Sequence, residues 1–134
     1  MGSEAFVSRA IFLDTDVLVD FLRGNSKAVA LVRACAERIV LSSVVVAELY
    51  AGVRDNQEEA ALDAFVALFR VAPISHEIAK AGGLLKRDYG KSHGVGLADA
   101  LIAATAQAEK AELKTLNVKH YPMLKGLRAA YAKA

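Results

Sequence analysis

The sequence predicts one α/β domain with three layers, in which a mainly parallel five-stranded sheet lies between helices. Short apolar runs typical of buried strands alternate with longer helical patterns, and no linker, repeat or low-complexity segment interrupts them. At 134 residues the chain has the size of a single domain, which we expect to span 1–134. Residues 1–8 are expected to be a disordered or cloning-derived start.

The first half of the chain contains two predicted strands and four predicted helices. The run RAIFLD is short, apolar and continuous, as in buried strands. Ser42 or Ser43 is expected to begin a helix, because serine is a favoured N-cap. In chain order we expect a strand at 9–14, helices at 16–22 and 26–36, a strand at 38–42, and helices at 43–53 and 58–70.

The second half continues the alternation. Ser75 is expected to cap a helix, and the segment DYGKSHGVG is polar and rich in glycine, which is typical of a loop. The expected elements are a strand at 70–75, a helix at 76–88, a loop at 88–96, a helix at 97–110, a strand at 111–117 and a last strand near 127–131.

The order of the strands follows from connection rules. Right-handed crossovers place strands one, two and three side by side. Pro73 puts the third strand at an edge, so the fourth strand must pair on the other side of the first. The order 3-2-1-4-5 opens a crevice at the carboxyl ends of strands one and four. Asp14 and Asn117 end these two strands, and a functional site is predicted there.

Bulk composition limits the function classes. No run is long enough for a membrane helix, and the first ten residues have no signal-peptide core, so we expect a cytoplasmic protein. The single cysteine, Cys35, excludes an internal disulfide and is expected in the core. A net charge of +2 does not by itself indicate nucleic acid, while 54% apolar residues favour a buried interface with a second copy or a partner.

Three acidic residues are the candidate chemical groups. Asp14 ends a strand, Glu48 lies inside a helix among small residues, and Asp99 opens a helix. Capping, surface exposure and a helix dipole are their structural alternatives. If the three meet in the crevice, each pair costs on the order of 4 kcal/mol at 4 Å. A cation would offset this repulsion, and oxygen ligands favour Mg²⁺ or Mn²⁺ over zinc.

Four segments resemble, in order and spacing, the motifs of PIN-domain ribonucleases, and most closely the VapC-type toxins of toxin–antitoxin pairs. They are FLDTDVLVDFLRG, SSVVVAELYAG, GLADALIAATA and TLNVKHYP, and the similarity covers about residues 9–128. The resemblance implies a PIN-like fold and a metal-dependent endoribonuclease that leaves 5′-phosphate and 3′-hydroxyl ends. It also implies a VapB-type antitoxin as partner and a toxin homodimer, with helices near 26–36 and 43–70 lining the antitoxin groove.

The family's functional positions carry over residue by residue. The resemblance implies that Asp14, Glu48 and Asp99 hold Mg²⁺ or Mn²⁺, with Asn117 as the fourth catalytic position, either as a carbonyl ligand or by orienting water. Asp16 is expected to be auxiliary. The hydroxyl residues that flank the acids are expected to support them or to serve as ordinary caps; they are Thr15, Ser43 and Thr115.

Basic residues near the acids are candidates for contact with RNA phosphates. Those expected near the crevice are Lys86, Arg87, Lys91 and Lys119. His93 and His120 have no partner at metal-ligand spacing and are not expected to be ligands or bases.

Three other functions remain open from the residues alone. Asp14 and Asp16 resemble the nucleophile and acid/base pair of haloacid-dehalogenase-like phosphatases, although TLNVKHY lacks that family's paired acids. A phospho-acceptor domain would need an aspartate at the end of strand three, where this chain has Pro73-Ile74-Ser75. A PIN fold without catalysis would act as a binding module.

Overall fold

The computed structural model describes residues 9–132, so the start expected at 1–8 lies outside the described range. Its sheet has four parallel strands in the order β3-β2-β1-β4. They are β1 (Ile11–Leu13), β2 (Ile39–Ser42), β3 (Arg70–Ala72) and β4 (Glu112–Lys114). The predicted order of these four strands is confirmed, and Pro73 directly follows the edge strand β3.

Six helices complete the α/β/α layers within residues 9–132. They are α1 (Thr15–Leu22), α2 (Ser26–Cys35), α3 (Ser43–Ala51), α4 (Asn56–Val66), α5 (His76–His93) and α6 (Leu97–Ala108). Ser42, not Ser43, caps α3 by accepting the Val44 N–H, and Ser75 caps α5 by accepting the Ile78 N–H. None of these helices combines the length and apolarity that crossing a membrane requires.

The core lies on both sides of the sheet. Every residue of β1 and β2 is buried, as expected of strands covered on two faces. Phe12 pairs with Val40 on one side and with Leu113 on the other, which fixes β1 at the centre of the sheet. Cys35 is 6% exposed and belongs to this core, as predicted.

The predicted loop at 88–96 is wrong over most of its length. Helix α5 continues to His93 and ends at Gly94, whose left-handed φ of 67° is the usual glycine C-cap. Gly90 is accommodated inside the helix, where the side chain of Lys86 lies against it. The connection to α6 is therefore only 94–96.

The fifth strand expected near 127–131 does not form within the described residues. One backbone hydrogen bond takes its place, from Ala130 N–H to the Thr115 carbonyl at 2.8 Å. Gly126 has a φ of 74°, which turns the chain and prevents an extended run along β4. The sheet therefore ends at β4, with segment 123–129 beside it.

Candidate active site

Asp14 occupies the carboxyl end of the central strand. It directly follows β1 and caps α1, since its Oδ1 accepts the Thr15 N–H at 2.8 Å. Its own N–H donates to the Lys114 carbonyl at 2.9 Å, which ties the end of β1 to the end of β4. Only 6% of the residue is exposed, so this carboxylate is held in a fixed position below the surface.

Two hydroxyls converge on the other oxygen of Asp14. The Thr115 hydroxyl and the Tyr121 hydroxyl each lie 2.8 Å from Oδ2. Both side chains are buried, with 0% and 1% of the residue exposed. Burial and the charges of Asp14 and Asp99 raise the pKa of Tyr121, so that its hydroxyl stays protonated and can donate.

Asp99 reaches the same place from the first turn of α6. Its Oδ1 lies 3.3 Å from the Tyr121 hydroxyl, so this hydroxyl stands between the carboxylates of Asp14 and Asp99. Its Oδ2 lies 3.2 Å from His120 Nδ1. Burial and then the charge of Asp14 raise the pKa of Asp99, although His120 opposes the shift. The two acids are therefore electrostatically coupled.

Asp16 connects α1 to the loop after β4. Its Oδ1 accepts the Val17 N–H at 2.7 Å, and its Oδ2 accepts from Leu116 N–H at 3.0 Å and Asn117 Nδ2 at 3.1 Å. Burial and then the charge of Asp14 raise its pKa. Asn117 uses its amide as a donor to Asp16 here, so both residues support the geometry around Asp14.

Glu48 lies on the same side of the sheet as the aspartates. Its Oε1 accepts the Thr15 hydroxyl at 2.6 Å, and Thr15 directly follows Asp14. Although its helical neighbours are mostly small, Glu48 is exposed, and its contact with the site is made through the Thr15 side chain. Thr15 therefore links Glu48 to Asp14, because its hydroxyl donates to the first and its N–H donates to the second.

The donor set suits a hard divalent cation in its chemistry. Asp14, Asp99 and Glu48 offer only carboxylate oxygens, which are the ligands that Mg²⁺ and Mn²⁺ prefer. Within residues 9–132, however, no three acidic, histidine or cysteine side chains are close enough to hold a metal ion. The structure brings Asp14 and Asp99 together and leaves Glu48 with Thr15.

The predicted hydroxyl residues have different surroundings. Thr15 and Thr115 each donate to a candidate acid, Glu48 and Asp14 respectively. The Ser43 hydroxyl oxygen is buried and has no hydrogen-bond partner among the described residues. Thr15 and Thr115 therefore belong to the site, whereas Ser43 makes no hydrogen bond to an acid within residues 9–132.

The predicted basic cluster is only partly available. Lys86 donates from Nζ to the Val95 carbonyl at 2.9 Å, and Arg87 pairs with Asp88 at 2.8 Å. Lys91 lies in the last turn of α5 rather than in a loop, and Lys119 is exposed beside Asn117. Lys86 and Arg87 thus have structural partners that the sequence did not indicate.

Sequence reasoning missed Tyr121, and it set His120 aside as a ligand or base without foreseeing its contact with Asp99. Both lie in the segment TLNVKHYP, three and four residues after Asn117. A 3₁₀ turn over Val118–His120 directs them back toward Asp99. The signal was an aromatic residue with a hydroxyl close to a predicted acidic site, but such a short turn has no periodicity that reveals its direction.

Known proteins resemble this chain over nearly its whole length. The family model described as PIN domain matches residues 11–121. "Ribonuclease VapC19" of Mycobacterium tuberculosis is 42% identical over 89% of this chain and 98% of that protein, and "Ribonuclease VapC10" of the same species is 41% identical over 91% and 93%. A solved "Toxin-antitoxin complex from Klebsiella pneumoniae" has a chain with 28% identity and a TM-score of 0.78, covering 91% of this chain and 98% of that one.

Proposed function

Because the chain belongs to the PIN-domain family, with VapC-type ribonucleases among its relatives, we propose that it is a metal-dependent endoribonuclease. The observation that carries the proposal is the pair Asp14 and Asp99 on either side of the Tyr121 hydroxyl. These carboxylates come from a strand end and a helix start that are 85 positions apart in the sequence. The proposed domain spans the whole of 1–134.

In the proposed mechanism, Asp14, Asp99 and Glu48 hold Mg²⁺ or Mn²⁺. When bound, such an ion supplies Lewis-acid polarisation of a phosphodiester and lowers the pKa of water. Thr115 and Tyr121 fix the Oδ2 atom of Asp14 by donating to it. This support keeps one ligand oxygen in place, as hydrogen-bond partners around metal ligands generally do.

Asp16 and Asn117 act as positioning residues in this proposal. The Asp16 carboxylate accepts from two backbone N–H groups and from the Asn117 amide, so it holds the loop after β4 against α1. A phosphatase that used Asp16 as acid/base would need these donors to release it. The bonding of Asp16 therefore favours the nuclease over the phosphatase.

The proposed biological role is that of the toxin in a toxin–antitoxin pair, acting in the cytoplasm and as a homodimer. A groove of about 650 Å³ between α1, α3 and α4 supports a helical antitoxin partner. Leu22, Leu49 and Leu62 are among its apolar lining residues, and Glu48 also lines it. Helix α2 does not line this groove, unlike the expectation for 26–36. An occupant there would cover Glu48.

The proposal is tested by incubating purified protein with total RNA in Mg²⁺ or in EDTA, followed by mapping of the new ends. We expect cleavage with 5′-phosphate products in Mg²⁺ and none in EDTA. The same preparation is assayed with p-nitrophenyl phosphate, which a phosphatase hydrolyses and a nuclease does not. Equal RNA cleavage in EDTA, or phosphate release from p-nitrophenyl phosphate alone, would contradict the proposal.

A further inference from the structure

A cavity of about 540 Å³ lies beside the edge strand β4. Strand β4 and segment 123–129 supply most of its walls, and Arg9 also lines it. We call it the β4-edge cavity and define it by its charged residues. These are Arg9, Glu112, Lys114, Lys125 and Arg128.

The β4-edge cavity concentrates positive charge. Four cationic side chains and one carboxylate line it, a net charge of +3, whereas the whole chain carries +2. The carboxylate is that of Glu112, and Lys114 at 3.2 Å and Arg38 at 3.6 Å already neutralise it. Lys125 and Arg128 are exposed and have no polar partner within residues 9–132. The cavity therefore offers free cations to an anionic ligand.

The cavity shares strand β4 with the candidate active site. Its residue Lys114 accepts the Asp14 N–H through its carbonyl at 2.9 Å, and the next residue, Thr115, donates to the Asp14 carboxylate. The acids of the active site repel a polyanion, so cations on a neighbouring surface are needed to hold one there. The backbone of β4 therefore connects the cavity wall to the residue that holds Asp14.

The bonding at this sheet edge favours a phosphate chain over an added peptide strand. A peptide strand would need the outward backbone groups of β4 and the residue after it. The Thr115 carbonyl is already occupied by Ala130 N–H at 2.8 Å. Arginine and lysine side chains, by contrast, bind phosphate oxygens without using the strand backbone.

We propose that the β4-edge cavity binds the phosphate backbone of single-stranded RNA, on a surface that shares strand β4 with the candidate active site. This inference rests on the proposed ribonuclease function and adds a substrate-binding surface to it. This surface is distinct from the basic residues that the sequence predicted, because Lys125 and Arg128 lie in the C-terminal segment. The contacts are electrostatic, so binding does not require the divalent ion.

The test measures RNA binding without cleavage. A fluorescent single-stranded RNA of about 20 nucleotides is titrated in EDTA with the double variant Lys125→Gln/Arg128→Gln, and anisotropy is read at several salt concentrations. Loss of two phosphate contacts predicts roughly 10- to 30-fold weaker binding at about 0.1 M salt and a log–log salt slope smaller by about 1.4. The single variant Lys125→Gln should lose about half of that slope change.

The matched control is Arg33→Gln/Lys80→Gln, which removes one arginine and one lysine from exposed positions on α2 and α5. It should bind RNA within about twofold of wild type. If wild type cuts no RNA in Mg²⁺, the proposed function fails. If wild type cuts RNA but the Lys125/Arg128 variant binds as the control does, the cavity proposal is overturned. If polyglutamate binds wild type more tightly than RNA does, and the Lys125/Arg128 variant loses that binding, the ligand of the cavity is an acidic peptide and the RNA proposal is overturned.

Discussion

Asp14 accepts hydrogen bonds on both oxygens of its carboxylate. Oδ1 accepts the Thr15 N–H, and Oδ2 accepts from the hydroxyls of Thr115 and Tyr121. Three donors therefore hold this buried carboxylate in one orientation. The Tyr121 hydroxyl has a second task, because it also lies within reach of Asp99.

We predict that Tyr121→Phe lowers RNA cleavage while leaving the fold intact. The ring remains to fill its buried position, but Asp14 and Asp99 lose the hydroxyl that lies between them. Loss of such a supporting group typically costs 10- to 100-fold in metal affinity or activity. Because Tyr121 is 1% exposed, we expect the loss in kcat rather than in KM for RNA.

The matched control is Tyr131→Phe. The Tyr131 hydroxyl donates to Asp20 at 2.7 Å. The variant therefore loses a hydroxyl of the same kind, but one that is bonded to an aspartate outside the candidate site. Its kinetic constants should equal those of wild type. Steady-state kinetics with one defined RNA decide the matter, and wild-type kcat in the Tyr121 variant would show that this hydroxyl has no positioning role.

The acidic positions and the flanking threonines were predictable from the sequence, but the Tyr121 hydroxyl that also supports them was not. Asp14 follows a recognisable strand, so topology predicts its place at the crevice. Asp99 opens a recognisable helix, but its meeting with Asp14 did not follow from topology and was implied by the family resemblance. Tyr121 comes after a 3₁₀ turn of three residues, and its direction depends on contacts distant in sequence. The role of Asn117 was left open for the same reason, since its partner is the distant Asp16.

At the scale of elements, the pair α5 and α6 carries Asp99 into the site. The two helices meet closely at Gly82, where an added Cβ would lie 2.5 Å from Leu101 Cδ2 and 3.2 Å from Leu101 Cα. The Leu101 side chain can move away from an added methyl group, but the Leu101 backbone cannot move without separating the two helices. The position of Asp99, two residues before Leu101 on α6, therefore depends on a glycine in α5.

We predict that Gly82→Ala destabilises the protein by about 1–3 kcal/mol, because the helices must separate to accommodate the methyl group. Gly83→Ala is the control in the same helix, since nothing lies within 4 Å of its Cβ position. It should stabilise the protein by about 0.5–1 kcal/mol through helix propensity. Urea denaturation of both variants measures the difference, and equal stabilities would contradict the close contact seen at Gly82.

The length of α5 shows why local composition misled the prediction. Gly90, Gly94 and Gly96 suggested a loop, but only Gly94 has the positive φ that ends the helix. Gly90 leaves space for the Lys86 side chain, which continues to the Val95 carbonyl. The sequence does not distinguish a glycine that makes room for a neighbouring side chain inside a helix from a glycine that ends the helix.

At the scale of the whole molecule, the fold separates an acidic crevice from a basic edge. The predicted strand order was correct for four strands because crossover handedness and Pro73 leave one arrangement. The absent fifth strand was not predictable, since Leu124, Leu127 and Tyr131 pack on the core without forming a ladder. The cavity beside β4 results from this irregular end.

The central claim concerns the whole fold, because the acids that would bind one divalent ion come from β1, α3 and α6. The most direct measurement is calorimetric titration of Mn²⁺ into wild type, Asp14→Asn and the exposed control Asp88→Asn. Asparagine remains a good N-cap, so Asp14→Asn should stay folded. We predict one ion bound by wild type and by the control, with at least 10-fold weaker binding by Asp14→Asn. Equal affinity in all three proteins would contradict a metal site at the ends of β1 and β4.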